Sequence, residues 1–230
     1  MITDLLSANG GELSQELVAV FSQLSQGLIT TLQIFVLTLV FSLPLGLIVA
    51  FGRMSQNFLL RTVIKVYISI MRGTPLMLQL MVVYFGPYYL FGINITSTYR
   101  FYAVIIGFVL NYAAYFAEIY RGGIESMSPG QCEAAEVLGF SKGQTFMRII
   151  LPQVIKRILP SITNEVITLV KDTSLAMVIS VSEMFTAAKA LASAQVSVIP
   201  FAVAGLFYYI MNYAVAYGME FIEKRMNYYR

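Results

Sequence analysis

Three polar residues, Glu165, Thr168 and Asp172, recur in an otherwise apolar stretch of the chain. Their spacing of i, i+3 and i+7 places them within about 60° of one another on a helix of 3.6 residues per turn. An ionisable group inside a membrane span costs about 2.5–3.5 kcal/mol and is a candidate for function. The stripe predicts either a passage that contacts the ammonium or cationic side chain of a solute, or a network that fixes helix packing. For Glu165, solute contact and helix packing are equally favoured, whereas for Asp172 packing is favoured.

Lys171 adjoins Asp172 in sequence but lies about 100° away around a helix, so the two cannot form a good ion pair along it. Each therefore needs a partner elsewhere. Glu118 and backbone carbonyl groups are the candidates, and a structural role is favoured for Lys171 as well.

The segment Gly73-Thr74-Pro75 predicts a break in another apolar stretch. Thr74 is expected to cap a new helix in which Pro75 takes the first position. Free N–H groups at such a helix start suit a solute carboxylate, as in transporters with discontinuous helices. A simple bend is favoured over this binding role. Asn111 is polar enough to line a passage, although packing is favoured for it too.

The composition excludes most other chemistry. Hydrophobic residues make up 58% of the chain and charged residues 12%, about half the usual share. The chain has no His and one Cys, which excludes Ser-His-Asp catalysis and His-ligated or Cys₄ zinc sites. We predict no catalytic residues and no metal site. The net charge of +3 is too small to indicate nucleic-acid binding.

The gaps between charges predict an all-α polytopic membrane protein that contacts the lipid bilayer. About 20 apolar residues cross the hydrocarbon core, and five stretches meet this length, near residues 27–51, 64–86, 101–120, 160–182 and 198–219. Residues 1–26 show apolar side chains at helical spacing and predict an amphipathic segment on the extracytoplasmic surface. We assign residues 27–223 to the transmembrane domain and residues 224–230 to a basic cytoplasmic tail.

The positions of Lys and Arg predict the orientation. Residues 1–52 contain neither, and the loops on that side hold only Arg100 and Lys189. Most cations follow the first, third and fifth spans: Arg53, Arg61, Lys65, Arg121, Lys142, Arg148, Lys156, Arg157, Lys224, Arg225 and Arg230. We expect the N-terminus outside and the C-terminus in the cytoplasm.

The loop between the third and fourth spans, roughly residues 122–158, predicts two short helices that point into the cytoplasm. Ser128 and Ser141 each begin a Ser-x-x-Gln sequence, which is typical of a capping box. Gly139 is expected to end the first helix in a left-handed conformation. Pro152 is expected to disrupt the second helix.

This loop carries a recognisable pattern of Glu133-Ala134-Ala135, then Gly139, then Ile149 and Leu151-Pro152. It resembles the EAA loop of binding-protein-dependent ABC importer permeases. The segments that begin at Arg72, Ala117 and Lys171 narrow the resemblance to the polar amino acid permeases, which serve histidine, arginine, glutamine, glutamate and cystine. The resemblance covers the chain from about residue 27 to residue 221.

The resemblance implies a type I importer fold in which the loop couples to a separate ATPase. Glu133 would contact the ATPase, Ala134 and Ala135 would permit close approach, and Gly139 would make the turn. Ser128 and Ser141 would hold the loop helices. The chain has no Gly-x-x-x-x-Gly-Lys-Ser/Thr phosphate loop, so ATP and Mg²⁺ are expected in the ATPase and no cofactor in this chain.

The implied assembly contains two ATP-binding subunits, a second permease that is a copy or a relative, and an extracytoplasmic binding protein. Its substrate would be a polar L-amino acid, and its location the bacterial inner membrane. The main alternative is a channel or an ion-coupled secondary transporter, in which the buried charges relay ions. An intramembrane enzyme is disfavoured because no nucleophile and acid cluster in the sequence.

Overall fold

The computed structural model describes residues 2–226, with side chains within residues 17–226. The regular structure of this part of the chain is helical, as predicted. Nine α-helices follow one another: α1 (Ile2–Arg53), α2 (Phe58–Gly73), α3 (Leu76–Phe91), α4 (Ser97–Glu125), α5 (Pro129–Val137), α6 (Lys142–Thr145), α7 (Leu151–Asp172), α8 (Met184–Gln195) and α9 (Ile199–Arg225). A π-helical turn (Phe146–Ile150) joins α6 to α7, and a 3₁₀ turn (Thr173–Ile179) follows α7.

Three helices are long and apolar enough to cross a membrane: Leu17–Arg53 within α1, α4 and α9. Two bent pairs bring the number of spans to five if each pair counts as one. The helical stretch Lys142–Ile179 meets α8 at 59°, whereas α2 meets α3 at 113°. The break predicted within the stretch 64–86 is confirmed, and after Gly73 it turns the chain through more than a right angle.

Helix α4 is the centre of the bundle, since α1, α2, α3 and α7 all pack on it. The seam with α1 is close because Gly46 lies against Phe116, where an added Cβ would come within 2.8 Å of the Phe116 Cβ. Phe108, Tyr112 and Phe116 of α4 form part of the buried core between α1, α3 and the 3₁₀ turn. Small residues at such a seam allow the close van der Waals packing that holds membrane helices together.

The first helix shows no break near residue 26, because α1 runs continuously from Ile2 to Arg53. Within it Val20 and Leu24 are fully buried against α8 and α9. Apolar residues of this part of the predicted amphipathic segment thus pack on protein. The side chains of residues 1–16 lie outside the described residues, so the surface that they meet stays a prediction.

Glu183 fixes the start of α8. Its carboxylate is fully buried and accepts hydrogen bonds from the N–H groups of Phe185, at 2.7 Å, and Thr186, at 2.6 Å. It also accepts from the hydroxyl of Tyr208 on α9, at 3.1 Å. Glu183 is therefore an N-cap that ties two helices together, and these partners offset the cost of its burial.

Candidate functional site

The break between α2 and α3 differs in detail from the prediction. Thr74 is the C-cap of α2, and its hydroxyl donates to the carbonyl of Ile70 at 2.8 Å. Pro75 precedes α3 in an extended conformation, and its carbonyl accepts from the N–H of Leu78 at 3.0 Å. The prediction that Thr74 caps α3 with Pro75 at the first position is wrong. Pro75 itself has a ψ of 133°, which is extended rather than helical, so α3 begins one residue later, at Leu76.

An amide network spans this break. The side-chain nitrogen of Gln79 lies 2.9 Å from the carbonyl oxygen of Met71 and 2.9 Å from the Thr74 hydroxyl. Asn111 of α4 is buried, and its amide nitrogen donates to Met71 at 3.1 Å and to the Gln79 oxygen at 2.9 Å. The network satisfies a carbonyl group that the end of α2 would otherwise leave free. Thr74 and Asn111 thus both belong to the hydrogen-bond network that stabilises the break between α2 and α3.

Asp172, at the end of α7, has a partner on α4 that the sequence did not indicate. The hydroxyl of Tyr112 donates to the Asp172 carboxylate at 2.7 Å. Glu118, which was the candidate partner, instead receives two hydrogen bonds from Arg121, at 2.6 and 3.1 Å. That candidate was wrong, and Asp172 connects α7 to α4. Lys171 is exposed.

Helix α7 carries an exposed polar face in the part that would lie within a bilayer. Ser161, Asn164 and Lys171 are exposed, and Thr168 is partly buried with its hydroxyl donating to the Asn164 carbonyl at 2.9 Å. Their spacing places them on one side of the helix over about 15 Å. Of the three residues in the predicted stripe, Thr168 belongs to this observed polar face. Asp172 instead turns inward to Tyr112.

Glu165 lies at the edge of this face and is half-buried. Among the described residues its carboxylate has no hydrogen-bond partner, but it lies within electrostatic range of Arg72 on α2. Arg72 stands 3.8 Å from the Glu118 carboxylate, and its guanidinium lies 5.3 Å from the centre of the Tyr115 ring. Opposite charges from α2, α4 and α7 therefore converge.

A cavity of about 470 Å³ opens beside these residues, and its lining includes Lys65 and Arg72 of α2 with Tyr115 and Glu118 of α4. The cavity lies between α2 and α4, next to Arg53 at the end of α1. We call it, together with the nearby Glu165 of α7, the charged groove; it contains Lys65, Arg72, Tyr115, Glu118 and Glu165. Charged side chains do not face the hydrocarbon of a bilayer. The groove must therefore face water or another polypeptide.

Glu165 was predicted as a site residue, whereas the sequence did not indicate the roles of the other groove residues. Lys65 was identified as a cytoplasmic cation, Arg72 as part of a family-like segment and Glu118 as a candidate partner for Lys171 and Asp172. Tyr115 was not identified. The available signal was the placement of charges at the ends of two predicted spans, because such charges need partners on neighbouring helices.

In the loop, Ser141 forms the predicted capping box. Its hydroxyl accepts from the Gln144 N–H at 3.3 Å, and the Gln144 side chain accepts from the Ser141 N–H at 2.9 Å. Gly139 adopts a φ of 79°, as predicted for a helix-ending glycine.

Ser128 is the N-cap of α5 with Pro129 in the first turn, but its side chain makes no cap hydrogen bond. The N–H of Gln131 instead bonds the Ser128 carbonyl at 3.1 Å. The Gln131 amide reaches Gln153 on α7, at 2.9 Å. The predicted capping box at Ser128 is therefore wrong, because this glutamine connects two helices.

Pro152 also behaves differently from the prediction. The helix after Ser141 is not disrupted, since α6 passes through the π-helical turn directly into α7. A π-helical turn accommodates a residue that cannot donate an N–H. The loop is thus continuous with the helix that carries the polar face.

The tip of the loop is exposed. Glu133 and Ala134 face outward, whereas Ala135 is buried within the chain. Val137 and Leu138 are 88% and 74% exposed, which makes a small apolar surface at the end of α5. Ala135 packs within the chain, and Glu133, Ala134, Val137 and Leu138 form the exposed surface of the loop tip.

Helices of membrane-spanning length, a charged groove and an exposed loop that continues into α7 are together expected of a transport subunit. The chain belongs to the family described as the binding-protein-dependent transport system inner membrane component, which matches residues 42–228.

Two relatives illustrate the likeness. A putative glutamine transport system permease protein of Rickettsia bellii is 37% identical over 202 residues, which cover 87% of this chain and 91% of the relative. An arginine transport system permease protein of Bacillus subtilis is 36% identical with the same coverage.

Two solved structures share the fold. A crystal structure of an amino acid ABC transporter with histidines is similar with a TM-score of 0.83 and 32% identity, over 92% of this chain and 97% of that one. An inward-facing methionine ABC transporter is similar in fold, with a TM-score of 0.68 and 16% identity over 90% and 96% of the chains.

The Tyr112 hydroxyl gives a testable prediction. Tyr112→Phe keeps the ring but leaves the Asp172 carboxylate without this donor, so we expect a loss of about 1–3 kcal/mol in the free energy of unfolding. In an Asp172→Asn background the same change should cost less, because the acceptor is neutral. Thermal unfolding in detergent of the four proteins measures the coupling. Equal losses in both backgrounds would show that the hydrogen bond contributes nothing.

Proposed function

We propose that this chain is the permease subunit of an ATP-driven importer of a polar L-amino acid. The observation that carries the proposal is that the exposed loop continues through the π-helical turn into α7. Helix α7 in turn contributes Glu165 to the charged groove. A force applied to the loop tip would move α7 relative to α2. Relatives named for glutamine, arginine and L-cystine transport support an amino acid as the substrate.

The charged groove is the proposed half-passage for the substrate. An amino acid at neutral pH carries an ammonium and a carboxylate, and the groove offers Glu165 and Arg72 within electrostatic range of each other. Glu165 would receive the ammonium and Arg72 the carboxylate, with Thr168 beside them on the polar face of α7. Thr74, Asn111 and Asp172 would act by positioning these helices rather than by contacting substrate.

A second permease is proposed because the groove is open on one side. Lys65 and Arg72 are exposed in the single chain, and charged side chains do not face the hydrocarbon of a bilayer. A second copy or a relative that supplies the opposing half would enclose the passage. An extracytoplasmic binding protein would deliver the substrate.

The loop tip is the proposed docking surface for a dimeric ATPase, which would bind ATP and Mg²⁺. Glu133, Ala134, Val137 and Leu138 would make the contact, while Gly139 and Ser141 would hold the shape of the loop and Ser128 would begin its first helix.

The proposed location is the bacterial inner membrane, with the N-terminus outside and the loop and C-terminus in the cytoplasm. The distribution of Lys and Arg supports this orientation. We keep the division into residues 1–26, the transmembrane domain 27–223 and the basic tail 224–230.

The proposed coupling is tested with purified subunits in proteoliposomes. Uptake of radiolabelled amino acid should require the ATPase subunit, ATP and the binding protein. Val137→Asp should abolish uptake and co-purification of the ATPase, since it places a charge on the apolar docking surface. Val198→Asp, at a similarly exposed position of 79% near the start of α9, should keep the ATPase bound. Uptake by the permease without the ATPase would instead favour a secondary transporter.

The role of Glu165 is tested by neutralising it. Glu165→Gln should raise the substrate concentration for half-maximal uptake at least about tenfold, which corresponds to about 1.4 kcal/mol of binding free energy. Glu220→Gln, on the exposed end of α9, is the matched control and should leave uptake unchanged. Normal uptake kinetics for Glu165→Gln in a fully assembled complex would assign this carboxylate to packing alone.

The orientation is tested with Cys132, the one cysteine of the chain, which is exposed on α5. A membrane-impermeant maleimide should label Cys132 in inverted vesicles and not in intact cells. Ser193→Cys in a Cys132→Ser background should show the reverse pattern, because α8 lies towards the other end of the bundle. Labelling of Cys132 in intact cells would reverse the proposed orientation.

A further inference from the structure

A second cavity, of about 1070 Å³, lies at the end of the bundle where the loop joins α7. Its lining includes the π-helical turn, the first turns of α7 and Met226 after the end of α9. It does not adjoin the charged groove, since it shares no lining residue with the cavity there. No step of the proposed transport cycle uses it.

The lining combines three cations with an apolar wall. Arg148, Lys156 and Arg157 contribute the positive charge, and Leu151 and Ile155 belong to the apolar part. None of the described residues that line the cavity is acidic. Arg157 donates one hydrogen bond to the Ser126 carbonyl at 3.2 Å, which fixes its direction and leaves further N–H groups for a ligand. The cavity is therefore suited to an anion attached to an apolar body.

The position of the cavity identifies the kind of ligand. Met127 follows α4, Pro160 belongs to the early part of α7, and Met226 follows α9, so three candidate spans leave the membrane beside it. The last turn of α9 adds Lys224 and Arg225 at this end. In the proposed orientation this is the boundary of the cytoplasmic leaflet, which contains anionic lipids.

We propose that this cavity binds the headgroup of an anionic phospholipid from the cytoplasmic leaflet. The lipid phosphate would bind Arg148 and Arg157, and the start of an acyl chain would lie along Leu151 and Ile155. Basic pockets between membrane helices on the cytoplasmic side suit such headgroups. A free phosphate ion would leave the apolar wall unused. The inference rests on the orientation proposed above, which the Cys132 labelling tests separately.

A bound lipid would also affect coupling, because Arg148 lies in the π-helical turn between the loop and α7. A headgroup held by Arg148 and by Arg157 of α7 would brace this joint. The site therefore adds a dependence on membrane composition to the connection between the loop tip and the charged groove.

The test is native mass spectrometry of the full-length chain, purified in detergent with its partner subunits and titrated with dioctanoyl phosphatidylglycerol. The wild-type chain should bind one such lipid that dioctanoyl phosphatidylcholine does not replace. Arg148→Gln with Arg157→Gln should weaken this binding by about 30-fold, at about 1 kcal/mol per cation. Arg148→Gln alone changes an exposed side chain without touching the Ser126 contact, and should weaken binding by about fivefold.

Arg61→Gln is the matched control, because Arg61 is an exposed cation predicted on the same side of the membrane and does not line this cavity. It should bind phosphatidylglycerol as the wild type does. Equal affinity of Arg148→Gln and wild type for phosphatidylglycerol would overturn the proposal. Loss of the ATPase subunit from Arg148→Gln, with lipid binding unchanged, would also overturn it and assign the cavity to a protein contact. The readout requires neither uptake nor ATP hydrolysis, so its failure is distinct from failure of the proposed function.

Discussion

The cost of placing charge in hydrocarbon organises this structure. A charged group within the helical bundle avoids this cost in one of two ways. It either pairs with a group on another helix or lies in a groove that lipid does not reach. Asp172 takes the first solution through Tyr112, and Glu183 takes it through α8 and Tyr208. Arg72 takes it through Glu118 of α4, at 3.8 Å. Glu165 takes the second, in the charged groove within electrostatic range of Arg72. Partners of three of these charged groups lie on α4 or α9, so charge pairing joins the helices of the bundle.

One helix joins the charged groove to the loop. Helix α7 contributes Glu165 to the groove, and at its N-terminal end it continues through a π-helical turn into the loop. The contact between Gln131 and Gln153 adds a second link from α5 to α7. By contrast, α2 is held to α4 by the hydrogen bond from the Asn111 amide to the Met71 carbonyl. The fold thus fixes α2 to α4 and makes α7 continuous with the loop that we propose contacts an ATPase.

Structural features that depend on neighbouring residues, such as caps and turns, could be predicted from the sequence. Hydrogen bonds between distant segments could not. The capping box at Ser141 and the turn at Gly139 depend on neighbouring residues, so the sequence was sufficient. The predicted capping box at Ser128 was wrong because the Gln131 side chain hydrogen-bonds Gln153, 22 residues further along the chain. The Tyr112–Asp172 hydrogen bond was not predicted, and it joins residues 60 apart. The break after Gly73 was predictable as a break, but its angle depends on the amide network with α4. Glu165 was identified as a candidate because an apolar stretch makes any charge conspicuous.

The central claim is that ATP moves α7 relative to α2 and so opens or closes the charged groove. The most direct measurement is the distance between spin labels at Ser69→Cys on α2 and Asn164→Cys on α7, in a Cys132→Ser background of the assembled complex. Pulsed electron paramagnetic resonance should show that ATP, with the loaded binding protein, shifts the distance between these labels in the same chain. An identical distance distribution with and without ATP, in a complex that hydrolyses ATP, would contradict the account.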